Sequence, residues 1–133
     1  MIEASEIRLG NYILHKTGVR ILPVRCGFNH FEILSKGNSK EIFPMVLKAD
    51  LLQRCGFIEN KKYPLYPEAR EFVLALPVIG SNKNEIYVYI KNNKECFGRA
   101  TINGLPVTNN FYQVHQLQNL YYVLVGTELE VNL

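Results

Sequence analysis

The chain has 133 residues, of which 47% are hydrophobic and 20% are charged, and its formal net charge at pH 7 is +3. This composition excludes an intrinsically disordered protein, and the length is that of one domain with a substantial core. The weak positive charge permits contact with nucleic acid but is far from the clustered basic patch typical of nucleic-acid-binding proteins. We therefore predict a single soluble domain spanning 1–133.

The N-terminus and the cysteines indicate the compartment. The first ten residues, MIEASEIRLG, contain two glutamates and no apolar stretch of the kind that a secretory signal requires. No apolar run reaches the ~18–20 residues that a membrane-spanning helix needs. Cys26, Cys55 and Cys96 are widely spaced and lack the C-x-x-C pairing of a zinc site. We predict a cytoplasmic protein with reduced thiols, no membrane contact, no metal and no cofactor.

The first third of the chain is predicted to be a run of short strands. Four segments rich in β-branched and apolar residues are separated by turn residues, and they cover 7–14, 19–26, 30–35 and 41–47. Spacing of about ten residues predicts a four-strand meander or a small barrel of the Src-homology-3 kind over about 1–47. Gly10 within the first segment favours a bulge, which a small barrel uses to close.

A short helix follows in LKADLLQRCGF, residues 47–57. Gly56 stands where a left-handed residue ends a helix, and Phe57 can then pack on Leu52. The start of the helix is less typical, because Lys48 occupies the place of a Ser, Thr or Asp cap.

The remainder, about 48–133, is predicted to be an α+β part. Strands are predicted in 71–79, 85–91, 96–102 and 105–107, and Asn103-Gly104 is a two-residue hairpin signal between the last two. A helix from 114 to 125 ends at Gly126 and is predicted to pack on this second antiparallel sheet. A final strand is predicted over 127–131. The fold class is therefore α+β, mostly β.

The C-terminal helix carries the candidate partner face. Its apolar stripe consists of Val114, Leu117, Leu120, Tyr121, Leu124 and Val125. The other side offers His115, Asn119, Tyr122 and Val123, and no charged residue occurs between 100 and 127. Either the helix is wrapped on more than one side within the chain, or this side meets another subunit, since interfaces favour Tyr and disfavour Lys and Glu.

The loop before the second sheet is the alternative binding surface. It combines cations and aromatic rings, which can contact phosphates and stack on bases, at Lys61, Lys62, Tyr63, Tyr66 and Arg70. The simpler interpretation is a solvated loop whose tyrosines fold onto the body of the domain.

Enzyme motifs are missing from the sequence. There is no Gly-rich phosphate-binding motif, no paired-histidine zinc motif and no nucleophile-elbow serine motif. Asp50 is the only aspartate, which disfavours a two-metal phosphoryl-transfer site. We predict no catalytic residue and a non-enzymatic binding or accessory protein that acts through protein contact, with self-association as the leading form. The alternative is a nucleic-acid-binding module that uses the basic-aromatic loop 61–70 and the barrel-like N-terminal part.

Three segments together resemble a known family. They are IRLGNYI (7–13), LKADLLQRCGF (47–57) and VHQLQNLYYVLVGTELEV (114–131). They are similar to a family of small uncharacterised proteins of Bacteroidetes bacteria that are associated with phage and other mobile elements. The run His-Gln-Leu-Gln-Asn-Leu-Tyr from His115 to Tyr121 carries most of the likeness, whereas Lys48 and Thr127 depart from the family pattern. The resemblance implies a bacterial cytoplasmic setting and transfers no catalytic residue.

Overall fold

The computed structural model describes residues 2–37, 40–62, 65–77, 80–92 and 94–133. Within these ranges the elements, in chain order, are a 3₁₀ turn (Ala4–Glu6), β1 (Tyr12–Thr17), β2 (Arg20–Arg25), α1 (Phe28–Ser35), β3 (Ile42–Pro44), α2 (Ala49–Arg54), β4 (Ile58–Asn60), β5 (Ala69–Ala75), β6 (Asn84–Lys91), β7 (Cys96–Ile102), β8 (Leu105–Pro106) and α3 (Val114–Val125). The protein is therefore α+β and mostly strand, which confirms the predicted fold class.

The chain divides into two compact units. The first consists of Met1–Val46 and Gln113–Gly126, and the second of Leu47–Tyr112 and Thr127–Leu133. The break after Val46 lies beside the predicted subdomain boundary, but α3 belongs to the first unit, where it contacts β1, whereas the sequence placed it on the second sheet. One domain spanning 1–133 stays a prediction.

The first unit is built on a three-stranded antiparallel sheet with the order β2-β1-β3. One buried hydrophobic cluster of this unit combines the N-terminal segment with the sheet and consists of Ile2, Ile7, Ile13, Cys26 and Ile42. The described residues of this unit form three strands and no closed barrel, so the four-strand meander was wrong in its third strand.

That third segment, 30–35, lies in the helix α1. Phe31 and Leu34 are three residues apart, so a helix directs both toward the core cluster, and both pack against it. The backbone N–H of Gly27 donates to Nδ1 of His30 at 2.8 Å, which satisfies a donor at the start of the helix. A short apolar run fits either period, and here tertiary packing selects the helix.

The second unit is a five-stranded antiparallel sheet with the order β4-β5-β6-β7-β8. Phe72, Ile86, Val88 and Ala100 share one face by register and are buried, so this face forms the unit's core. The predicted hairpin is confirmed: Asn103 and Gly104 both have positive φ, as a type I′ turn requires.

The ends of α2 and of the chain test two further predictions. Gly56 has φ +95° and Phe57 N–H donates to the Leu52 carbonyl at 3.0 Å, which confirms the predicted helix stop. Residues 127–131 have no regular secondary structure, so the final strand was wrong. The predicted alternation holds nonetheless, because Leu129 and Val131 are buried in the second unit.

Candidate functional site

Most side chains in the first half of α3 are buried, whereas Tyr122, Val123 and Leu124 in its second half are exposed. Val114, His115, Leu117 and Gln118 are buried. The predicted apolar stripe holds at its beginning, but Leu124 near its end is 36% exposed. The two interpretations of the uncharged helix therefore apply to different halves of it: the first half is wrapped within its unit, and only the second half is open to another molecule.

Hydrogen bonds join the N-terminal segment to α3. Asn119 Oδ1 accepts from Arg8 Nε at 2.7 Å and from Asn11 Nδ2 at 2.9 Å, while Asn119 Nδ2 donates to the Glu6 carbonyl at 3.0 Å. We call Arg8, Asn11, Gln118 and Asn119 the polar clasp. Each member joins the N-terminal segment to α3 through its side chain. Without these hydrogen bonds the same polar groups would lose their hydrating water and gain no partner in return.

Gln118 completes the clasp at the start of β1. Its Oε1 accepts from the backbone N–H of Tyr12 at 2.8 Å. Arg8 and Asn11, from the Arg-x-Gly-Asn segment before β1, therefore share one hydrogen-bond network with Gln118 and Asn119 of α3. Asn119 is half-buried and its side chain is engaged in this network, so its place on the predicted partner face stays a prediction.

His115 lies beneath the clasp and is fully buried. Its Nε2 is 3.5 Å from Glu6 Oε2, but neither ring nitrogen makes a hydrogen bond to another described residue. Burial lowers the pKa of His115, and Glu6 opposes that shift. His115 therefore cannot belong to an exposed partner face, which corrects the prediction. Helical periodicity missed this because the burial comes from the N-terminal segment.

We expect acid to weaken the folded state through this histidine. Because the pKa of His115 is lowered below 6.5, the unfolded chain binds the proton more readily than the folded chain. Its stabilising contribution is complete above the unfolded value and falls as pH drops below it, by at most about 1.4 kcal/mol per pH unit. Urea melts of the wild type and His115→Gln between about pH 7.5 and pH 5.5 measure the effect. An identical pH dependence in the two proteins would contradict it.

The second half of α3 presents an uncharged surface. Tyr122 is 43% exposed, Val123 is 79% exposed, and Leu124 follows them. The guanidinium of Arg8 lies 4.4 Å from the centroid of the Tyr122 ring. We call the consecutive exposed residues Tyr122, Val123 and Leu124, which point in directions about 100° apart around the helix, the α3 patch. Tyr122 and Val123 are thus the exposed residues of the predicted partner face.

The outer face of the second sheet is lined by aromatic rings. Tyr89 stacks on Phe97, and Tyr66 meets both rings edge-on, with centroids 5.0 Å and 5.8 Å away. Burial, followed by the charge of Glu71, raises the pKa of Tyr89 to about 12, so its hydroxyl remains a donor. The rings pack on one another, which leaves Tyr66 and Tyr89 poorly placed to stack on bases.

Glu71 anchors the loop that follows β4. Its buried carboxylate accepts from Asn60 Nδ2 at 2.8 Å and from Leu65 N–H at 3.2 Å. These bonds hold both ends of the loop segment on the sheet face, which explains how a buried carboxylate is tolerated there.

The structure places the predicted nucleic-acid contacts in different environments. Arg70 donates to both carboxylate oxygens of Glu59, at 3.0 and 2.8 Å, and Tyr66 is packed as described. Lys61 and Lys62 are exposed, and Tyr63 lies outside the described residues. The two lysines, which are neighbours in the sequence, are therefore both exposed, whereas Arg70 and Tyr66 make intramolecular contacts.

An open groove of about 600 Å³ crosses this face of the second unit. Its lining consists of Ile58, Glu59, Asn60, Lys61, Lys62, Val73, Ala75, Glu85 and Tyr87. This volume is within the ~300–1,000 Å³ of small-ligand sites. Ile58, Val73 and Ala75 form the apolar floor of the groove, and acidic and basic side chains line the rest of it.

The structure also pairs two histidines that lie 15 positions apart in the sequence. The rings of His15 and His30 meet edge-on with centroids 5.0 Å apart, and His15 Nε2 is 3.9 Å from Glu41 Oε2. Burial first, and then His15, lowers the pKa of His30. Across the described parts of the chain, no group of three or more possible metal ligands occurs.

The remaining findings concern membranes and known proteins. None of the helices in the described ranges combines the length and apolar character needed to cross a membrane. No family model, curated protein or solved structure matches the chain. The resemblance to the Bacteroidetes family stays a prediction.

Proposed function

We propose that the protein is a non-enzymatic binding or accessory protein that acts by self-association through the α3 patch. The observation that carries the proposal is the exposure of Tyr122 and Val123 at the uncharged end of a helix whose first half is held firmly in its unit. Exposed apolar side chains grouped on one element are typical of protein contact sites.

The chemistry of the patch supports a protein partner. Interfaces are enriched in Tyr and Arg and depleted in Lys and Glu. Arg8 stacks on Tyr122 and is itself bound by Asn119, so the ring is held in place before any partner arrives. A contact surface that is already ordered loses less conformational entropy on binding.

A second copy of the same chain is the occupant that fits an uncharged surface. In a two-fold contact both copies contribute the same surface, so Val123 of one copy meets uncharged side chains of the other, while the nearby cation, Arg8, is already held by Tyr122 and Asn119. Three side chains cover much less than the ~800 Å² per partner of a standard interface. The expected dimer is therefore weak and forms at high protein concentration.

We expect Val123→Glu to abolish the dimer and leave the fold unchanged. Val123 is 79% exposed, so glutamate costs little in the monomer, but it would be desolvated without a partner in the dimer. Sedimentation velocity and light scattering across a concentration series measure the association. Val19→Glu is the matched control, since Val19 is 99% exposed on the β1–β2 turn. A wild type that stays monomeric at about millimolar concentration contradicts the proposal, because even weak interfaces associate in that range.

Nucleic-acid binding is the second candidate function, and Lys61 and Lys62 on the groove are the observation in its favour. Binding through these lysines would weaken steeply as salt increases. Fluorescence polarisation of single- and double-stranded oligonucleotides at two salt concentrations, with Lys61→Ala/Lys62→Ala as the comparison, separates this candidate from self-association. The engagement of Arg70 by Glu59 leads us to rank it second.

A further inference from the structure

Glu85 is a buried carboxylate that nonetheless lines the open groove of the second unit. The hydroxyl of Tyr87 donates to its Oε1 at 3.1 Å. Burial, and then the charge of Glu85, raises the pKa of Tyr87, so this hydroxyl stays protonated and remains a donor. A carboxylate kept in a partly enclosed site, whose hydrogen-bond donor Tyr87 is neutral and whose nearby cation Lys83 is 3.8 Å away and 72% exposed, is suited to receive a closer cation.

Thr101 lies directly opposite Glu85 in the β6–β7 register, on the same face of the sheet. The residue is 4% exposed, and its Oγ1 has no hydrogen-bond partner among the described residues. A buried hydroxyl without a partner loses its hydration and gains nothing in return. Such a group next to a carboxylate indicates a site that is completed by a ligand.

The third feature is the apolar floor of the groove. Ile58, Val73 and Ala75 lie along it, and Ile58 is exposed although it is a large apolar side chain. An aliphatic chain of a ligand can lie on this floor with its end group at Glu85. The groove therefore combines an apolar surface for a stem with the Glu85 carboxylate as acceptor, and Thr101 lies beside Glu85 without itself lining the groove.

We propose that Glu85, Thr101 and Tyr87 form a binding subsite for a primary ammonium group on an aliphatic stem, as presented by a lysine side chain of a partner protein. An ammonium has three donors and no acceptor, which suits the carboxylate and the free hydroxyl. The stem of lysine buries its methylene groups along apolar surface while its charged end meets an acceptor. This site is in the second unit and does not depend on self-association through the α3 patch.

The chain itself provides an internal competitor. Lys83 Nζ lies 3.8 Å from Glu85 Oε1, yet the Lys83 side chain is 72% exposed, so this ion pair is loose. A ligand ammonium must displace it. Removing the Lys83 charge is therefore expected to strengthen ligand binding, which an unspecific role of Glu85 in folding would not produce.

The test uses the full chain and Nα-acetyl-lysine methylamide as the probe, followed by amide chemical shifts of the second unit. At ~0.3 kcal/mol per heavy atom the expected Kd is on the order of 1 mM. Nα-acetyl-norleucine methylamide has a similar stem without the ammonium and should bind at least about ten-fold more weakly. n-Butylamine tests the source of the ammonium. If it binds as tightly as the lysine probe, the assignment to a protein lysine is overturned.

Four variants test the named residues. Glu85→Gln should weaken probe binding by about ten-fold or more, and Lys83→Gln should strengthen it about two- to five-fold. Thr101→Val should weaken binding several-fold while the melting temperature stays equal or rises, because the unpartnered hydroxyl is removed. Glu59→Gln is the matched control: Glu59 lines the same groove but is held by Arg70, so probe binding should not change.

Two results would overturn the proposal. One is equal binding of the lysine and norleucine probes, and the other is Lys83→Gln failing to strengthen binding while Thr101→Val leaves it unchanged. These two variants keep the site testable if Glu85→Gln does not fold. Neither measurement depends on the oligomeric state, so a failure here is distinct from a failure of the self-association proposal.

Discussion

Replacing Gly98 by alanine is expected to destabilise the second unit by about 3 kcal/mol, at the upper end of the usual cost of an overpacked core. An added Cβ would collide with Cζ of Phe111 and lie 2.6 Å from Cε2 and 2.9 Å from Cε1. The ring cannot withdraw easily, because Phe111 is buried and its backbone exchanges two hydrogen bonds with Gly98, at 2.7 and 2.8 Å.

Urea melts and amide spectra of the second unit measure this effect. Phe111→Ala alone should cost about 3–5 kcal/mol through lost burial and a cavity. In the double variant Gly98→Ala/Phe111→Ala the collision disappears, so its loss should be close to that of Phe111→Ala alone and well below the sum of the two. An unchanged melt of Gly98→Ala, or additive losses, would show that the ring does not pack on this glycine.

The second large effect is expected at Leu117. This side chain is fully buried on α3, so Leu117→Ala should cost about 2–5 kcal/mol and weaken the first unit. Leu124 is on the same helix but 36% exposed, and Leu124→Ala is therefore a matched control with an expected loss below about 1 kcal/mol. The comparison isolates burial, because the same methyl groups are removed from the same element.

Urea melts with circular dichroism, supported by amide signals of the first unit, compare the two leucine variants. Equal losses would mean that the far end of α3 is as well packed as its beginning. That outcome would also weaken the self-association proposal, since the α3 patch would then belong to the core.

Local sequence signals predicted the parts of the fold that depend on local chemistry. Gly56 and the Asn103-Gly104 pair were read correctly because only residues that tolerate positive φ suit those positions. The strand around Ile86 and Val88 was predicted from its alternation, and both residues are buried as expected. In each case the deciding interaction lies within a few residues.

The errors occurred where tertiary contacts decide. The run 30–35 is compatible with a strand or a helix, and the packing of Phe31 and Leu34 on the core selects the helix. The alternation in 127–131 gives the burial of Leu129 and Val131 correctly, but a strand also needs a ladder partner, which no local pattern reveals.

The candidate sites were only partly predictable for the same reason. Tyr122 and Val123 could be placed on the outer side of α3 from helical periodicity. His115 could not be assigned to the interior, because its Nε2 lies 3.5 Å from the carboxylate of Glu6, a residue 109 positions away in the sequence. The pairing of Thr101 with Glu85 could not be predicted from the sequence, because it depends on the register between β6 and β7.

The division of the chain has a consequence for its synthesis. The first unit takes its sheet from residues before Val46 and its helix from Gln113–Gly126, so that unit cannot be completed until the ribosome has also translated the segment 47–112 that separates them. At ~5–20 residues per second, the intervening segment 47–112 takes roughly 3–13 s to emerge. During that interval Arg8 and Asn11 have no Asn119 to bind, and the three-stranded sheet lacks its covering helix. The nascent chain is then most exposed to chaperones and proteases, and slower codons in the segment 47–112 would prolong that exposure.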